Sequence, residues 1–126
     1  MKKHNNLEIK EEIQSHGYKI LPNIILEMEE LSSCDKMVYM VLFNMPNENQ
    51  NGDIYPSYEY LSKLIKTNRT TLYRSLKKLK EIGLIDWENR GRGTNFYYLL
   101  PIPDWIKEKY SVECGDYKPP TNQLNV

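Results

Sequence analysis

The side chains in this sequence that could do chemistry are cationic and hydroxylated rather than catalytic. His4 and His16, its two histidines, lie in a polar stretch. Neither pairs with a cysteine or carboxylate at the spacing of a metal site or of a nucleophile and its base. No catalytic residue, metal ligand or cofactor is therefore expected, and no enzymatic activity. Residues 57–100, by contrast, hold nine basic groups (Lys63, Lys66, Arg69, Arg74, Lys77, Lys78, Lys80, Arg90 and Arg92) against four acidic ones (Glu59, Glu81, Asp86 and Glu88). The chain as a whole balances 17 basic against 17 acidic side chains, so this middle block sets a local positive field on a neutral molecule. Such a field suits a polyanion, and a merely solvated charged face is the bland alternative. Arg90-Gly91-Arg92-Gly93 is not followed by Lys-Ser or Lys-Thr, which argues against a nucleotide-binding phosphate loop.

Positioning these groups falls to a series of short elements. Residues 1–17 read as a polar arm or a frayed helix with Leu7, Ile9 and Ile13 as its large apolar groups. Tyr18-Lys19-Ile20-Leu21 reads as a short N-terminal strand stopped by Pro22, followed by a turn or two of helix over residues 24–28. Ser32-Ser33 offers an N-cap and Asp35 a first-turn acid for a helix through Phe43, apolar nearly all round and so either central or shared with a partner. Pro46 to Asp53 is dense in turn formers. Pro56 excludes helix before it and Ser57 caps a helix over 58–65 with Leu61, Leu64 and Ile65 as its stripe. Lys66-Thr67-Asn68 interrupts the pattern, and Asn68 caps a third helix from Arg69 to Ile82, closed by Gly83. Ile85 and Trp87 then alternate with acids, residues 89–95 supply a turn, and Phe96 to Leu100 returns as a second strand. Pro101 and Pro103 end it, Asp104 caps a short helix through Tyr110, and the remainder reads as a loose tail.

In the third helix, at about 100° per residue counted from Leu72, Leu76 and Leu79 fall at about 40° and −20°, the buried stripe. Thr70, Arg74 and Lys77 fall at about 160°, 200° and 140°, with Tyr73 and Lys78 at about 100° and 240° on the flanks. The outward face is basic and hydroxylated. Central Arg74 suits a bidentate guanine contact and Thr70 a base or methyl contact. Asn68 and Thr71 stand where a helix N-terminus can hold a phosphate. Arg69, Tyr73, Lys77 and Lys78 suit the nucleic-acid backbone. In the hairpin, Arg90, Arg92 and Thr94 could approach a phosphate or a narrow minor groove.

Helix, helix, tight turn, helix and basic hairpin is the layout of a winged helix-turn-helix, an α+β fold with a three-helix core and a C-terminal wing. Pro56, Ser57, Leu61, Ile65, Arg69, Thr71, Leu72, Arg74, Leu76, Leu79, Gly83, Leu84 and Ile85 also resemble that family in sequence. They look most like the domains of plasmid and phage replication proteins and, more distantly, MarR-type and GntR-type regulators. Departures are Lys66 where the family usually has glycine, Thr67 in place of an aliphatic, and Asn68 in place of the capping serine. Lys66 must then accept a left-handed backbone. The resemblance spans residues 18–100, leaving 1–17 as an arm and 101–126 as a short helix and tail.

At 126 residues and 15.0 kDa with a mean hydropathy of −0.67, the chain has the size of one domain and lacks the run of roughly 20 apolar residues needed to cross a bilayer. No secretory signal is read at its start, so the cytoplasm is the default and Cys34 and Cys114 are expected as free thiols. Most of the ten tyrosines fall at core or strand positions, against a single-strand stacking platform. The expected partner is double-stranded DNA, with no small-molecule effector. The expected role is a sequence-specific regulator or origin-binding accessory of a plasmid or phage, acting as a homodimer. The apolar central helix, the arm, and the segment around Trp105, Ile106 and Tyr110 are the candidate dimer surfaces. The rival from another class is a winged helix that binds proteins in a replication or transfer complex.

Overall fold

The computed structural model describes residues 5–45, 54–89 and 95–114. In chain order the elements are α1 (Asn6–Gln14), α2 (Asn23–Glu27), α3 (Ser33–Asn44), α4 (Tyr58–Ile65), α5 (Arg69–Ile82), β1 (Ile85–Asn89), β2 (Asn95–Leu99) and α6 (Asp104–Cys114). The helix starts follow the capping residues. Asn5 Oδ1 accepts from Leu7 N–H at 2.8 Å, Ser57 Oγ from Tyr60 N–H at 3.0 Å, and Asn68 Oδ1 from Thr71 N–H at 2.7 Å. Ser32 and Asp35 form a reciprocal capping box, Ser32 Oγ accepting from Asp35 N–H at 3.1 Å and Asp35 Oδ2 from Ser32 N–H at 2.9 Å.

The core forms where α3, α4 and α5 meet the root of the hairpin. Leu72, Leu76 and Leu79 of α5 are fully buried, as are Val38 and Leu42 of α3, Leu61 of α4, and Leu84 and Ile85 at the start of β1. Truncating one such leucine to alanine typically costs about 2–5 kcal/mol, so the stripe holds α5 in one rotational setting. Gly83 ends α5 at φ +98, its N–H reaching Lys80 C=O and the Leu84 N–H reaching Leu79 C=O, both at 3.0 Å. That left-handed step turns the chain straight into β1. β1 and β2 pair antiparallel with Ile85 opposite Leu99 and Asn89 opposite Asn95.

Two expectations change. Residues 18–21 form no strand; Tyr18, Lys19 and Ile20 are exposed and Leu21 is half-buried against the core, and a side chain holds the backbone there. Asn44, buried at the end of α3, accepts from Ile20 N–H at 3.2 Å and donates to Ile20 C=O at 2.8 Å. The backbone that meets the hairpin comes instead from Ile54, whose carbonyl accepts from Tyr97 N–H at 2.8 Å. Ile54 and Pro56 are buried and Tyr55 is exposed, the alternation of an extended segment laid along a sheet edge.

The second change concerns the C-terminal helix. It runs to Cys114, four residues beyond the expected end, and packs on α2 with Ile106 and Tyr110 buried in the core. Those two residues are used inside the chain and are not available as a dimer surface. Tyr110 Oη accepts from Glu29 N–H at 2.9 Å and donates to Glu30 at 2.6 Å, and Lys109 Nζ donates to the other Glu30 oxygen at 2.6 Å. These contacts, Lys109 first and Tyr110 second, hold the Glu30 carboxyl at a pKa of about 2.

A carboxylate with a depressed folded-state pKa stabilises the fold above its unfolded value and loses that contribution as pH falls. The α6 clasp should therefore weaken between pH 4.5 and about 2. In urea unfolding, Glu30→Gln should flatten this acid dependence, and Tyr110→Phe should cost about 1 kcal/mol at neutral pH through loss of the hydroxyl contacts. An unchanged acid limb in Glu30→Gln would show that the clasp does not contribute.

Candidate nucleic-acid interface

The turn between α4 and α5 sets the geometry of the site. Lys66 caps α4 at φ 60 and ψ 56, the one non-glycine residue with positive φ among those described. The following Thr67 N–H donates to Ser62 C=O at 3.1 Å, and Asn68 returns to extended backbone at φ −84 and ψ 166 to start α5. One left-handed residue and one capping residue thus turn the chain between two helices in three positions. A lysine tolerates this because its long side chain stays in solvent, at the cost that any L-residue meets there.

With Leu72, Leu76 and Leu79 inward, the opposite side of α5 faces solvent. Asn68, Arg69, Thr70, Tyr73, Arg74, Lys77 and Lys78 are all exposed and Thr71 is half-buried, so seven of the eight sequence-derived positions along α5 and its N-terminal cap are open to solvent. They differ in what already engages them. Arg69 lies over the Tyr58 ring, Cζ 4.8 Å from its centroid, which ties it to the start of α4. The Asn68 side chain occupies the Thr71 N–H, which satisfies one of the donors at the helix start. Arg74, Lys77 and Lys78 have no carboxylate partner among the described residues.

The neighbouring cations are engaged elsewhere. Lys63 pairs with Glu59 along α4 at 3.4 Å. Lys80 reaches the wing, 3.3 Å from Asp86 and 4.5 Å from the centre of the Trp87 ring. The Trp87 N–H, and after it Lys80, hold the Asp86 carboxyl below the usual range. Lys80 thereby neutralises an acid at the root of the hairpin, while Glu88 is met by the Tyr98 hydroxyl at 2.7 Å. Arg90, Arg92 and Thr94 at the hairpin tip lie outside the described residues.

One contributor was not singled out from the sequence. Tyr55, half exposed, stacks on Phe96 of β2 with ring centroids 5.4 Å apart, joining the segment before α4 to the wing. The exposed Tyr between buried Ile54 and Pro56 was the available signal, a period of two just ahead of a helix cap. No three-residue group of His, Cys, Asp or Glu able to hold a metal occurs among the described residues. No described helix is long and apolar enough to cross a membrane.

Three helices around a leucine seam, a tight turn between the second and third, and a two-stranded wing after them define a winged helix-turn-helix. Residues 29–85 match the model of a helix-turn-helix domain family. Solved structures of the same fold include one titled as a Rep–DNA complex, at 22% identity and a TM-score of 0.59 over 94% of this chain and 100% of that one. Another is the N-terminal domain of a DNA-binding protein, at 21% identity and a TM-score of 0.60 over the same shares of the two chains. A third is an MDR initiator, at 18% identity and a TM-score of 0.56 over 86% of this chain and 96% of that one. The comparison with curated proteins returns no match.

The turn should respond to the two residues that build it. Asn68→Ala should cost about 1 kcal/mol through loss of the cap. Lys66→Gly should be neutral to stabilising, within about 1 kcal/mol, because relief of the left-handed backbone offsets the added freedom of the unfolded chain. Thermal or urea unfolding of the two variants measures both, and a clearly destabilised Lys66→Gly would mean that the lysine side chain stabilises the turn.

Proposed function

We propose that this protein binds double-stranded DNA sequence-specifically, with α5 in the major groove and the β1–β2 wing alongside. The observation that supports this reading most is the solvent face of α5, where Thr70, Arg74 and Lys77 stand exposed over a buried leucine seam with no carboxylate on the two cations among the described residues. Arg74 reads a guanine edge and Thr70 an adjacent base or thymine methyl, while Lys77, Lys78, Tyr73 and Arg69 hold phosphates and fix register. Arg92 and Arg90 extend the contact from the wing. The protein acts by binding and not as an enzyme, in the cytoplasm.

One domain covers a short footprint, so the protein works as a pair of copies on a two-fold site. The similar structures, a Rep–DNA complex and an initiator, favour a role at a replication origin or promoter of a plasmid or phage, as a small regulator or origin-binding accessory.

Selection of bound fragments from genomic and plasmid DNA, followed by anisotropy titrations over a salt series, tests the proposal. Duplex affinity should fall steeply with salt, and Lys78→Ala should lower the slope by about one unit. Arg74→Ala should lose about 1–3 kcal/mol of discrimination at one base pair while keeping most of the salt dependence. Absence of duplex binding at low salt by wild type and both variants would overturn the proposal in favour of a protein-binding winged helix.

A further inference from the structure

Helix α1 is a nine-residue helix with no buried residue. Isolated helices of fewer than about 12 residues are marginal in water, yet this one carries Leu7 at 66%, Ile9 at 37% and Ile13 at 59% exposure. Ile9 and Ile13, four residues apart, share one face. Glu8 and Glu12 run along one flank of that face, four residues apart in the same sense.

The body of the protein has a matching surface. A groove of about 210 Å³ lies between the 21–26 segment and α3, lined by Leu21, Leu26, Lys36, Met37 and Met40 beside Ser33. A second groove, of about 280 Å³, shares Ser33 and Met37 with the first and reaches Ile65 and Lys66. Leu26 and Met37 are among the more exposed large apolar residues. Lys36 and Lys66 provide the positive rim; Lys36 donates to the Leu26 carbonyl and neither has a carboxylate partner among the described residues. The trough is apolar with a basic edge, and α1 is a short apolar stripe with an acidic edge.

We infer that α1 of one copy seats Ile9 and Ile13 in the Met37 groove of a second copy, with Glu8 and Glu12 facing Lys36 and Lys66, and that the exchange is reciprocal. Residues 5–20 are exposed throughout in the single chain. Asn44 fixes Ile20 by both its backbone groups, so the arm leaves the body from an anchored point beside the groove. A two-fold exchange buries two such contacts per pair. It identifies one surface for the pairing proposed above and so rests on that part of the reading; the sizing below is done without DNA.

Single-cysteine chains test it, in a background with Cys34→Ser and Cys114→Ser. One chain carries Ile13→Cys and the other Met37→Cys. On mild oxidation their mixture should give a disulfide-linked dimer in excess of either chain alone. Light scattering should place the wild type at twice the 15.0 kDa chain mass, and Ile13→Asp should move it to the chain mass with an unchanged far-ultraviolet spectrum, since the residue supports no core. Met37→Asp should do the same, and Glu12→Lys with Lys36→Glu should recover the pairing that Lys36→Glu alone weakens at least tenfold. A monomeric wild type, a link that forms only within a chain carrying both cysteines, or an Ile13–Ile13 link would each overturn the inference. Salt-dependent duplex binding by such a protein would leave the DNA-binding proposal intact, whereas a dimer without duplex binding would remove that proposal and leave this one.

Discussion

The seam formed by Leu72, Leu76 and Leu79 is the constraint on which the rest of the structure depends. Each is fully buried, and together they fasten one side of α5 to α3, α4 and the root of the wing. Because a helix is a rigid rod of fixed pitch, fastening one side presents the other. Thr70, Arg74 and Lys77 face outward for that reason alone, without a single hydrogen bond aimed at holding them there. A shift of the apolar spacing by one residue would rotate the whole face by about 100° and turn the basic surface into the core.

The charges around this face are sorted by short-range partners. Lys63 has Glu59, Lys80 has Asp86 and the Trp87 ring, and Arg69 has the Tyr58 ring. Exposed pairs of this kind are worth little in stability, roughly 0–1 kcal/mol, and their effect is to direct where positive potential remains. On the described part of α5, Arg74, Lys77 and Lys78 keep no carboxylate partner, on a chain whose formal net charge is zero. A neutral isoelectric balance and a polyanion-binding surface are compatible because fields act locally within roughly a Debye length of about 8–10 Å.

Outside the helix-turn-helix the chain uses a different logic. The Tyr110–Glu30–Lys109 clasp joins residues some eighty positions apart and fastens α6, which packs on α2, to the segment before α3. Asn44 performs a related task at the other end of α3, replacing a strand partner for Ile20 with a side-chain amide. Both devices satisfy polar backbone or side-chain groups at the margin of the core, and no buried side-chain polar atom among the described residues lacks a partner. Neither involves the first helix, which has no buried residue.

Features governed by neighbours in sequence could be read directly from the residues. The caps at Ser32, Ser57 and Asn68, the left-handed Lys66, the terminator Gly83 and the inward leucines each follow from interactions over one to four positions, where residue type and backbone geometry are tightly coupled. The solvent exposure of Thr70, Tyr73, Arg74, Lys77 and Lys78 was legible for the same reason, since helical periodicity alone sorts inside from outside. Tyr18 to Leu21 reads as a strand by type, but a strand exists only if an edge is free to receive it, and Ile54 already meets Tyr97 there. Likewise Ile106 and Tyr110 look like a surface for a partner until α2 is placed beside them, and Lys80 looks like one more cation for a phosphate until Asp86 and Trp87 fold against it. Those outcomes depend on which distant segments arrive at the same place, a matter of packing that local propensity does not encode.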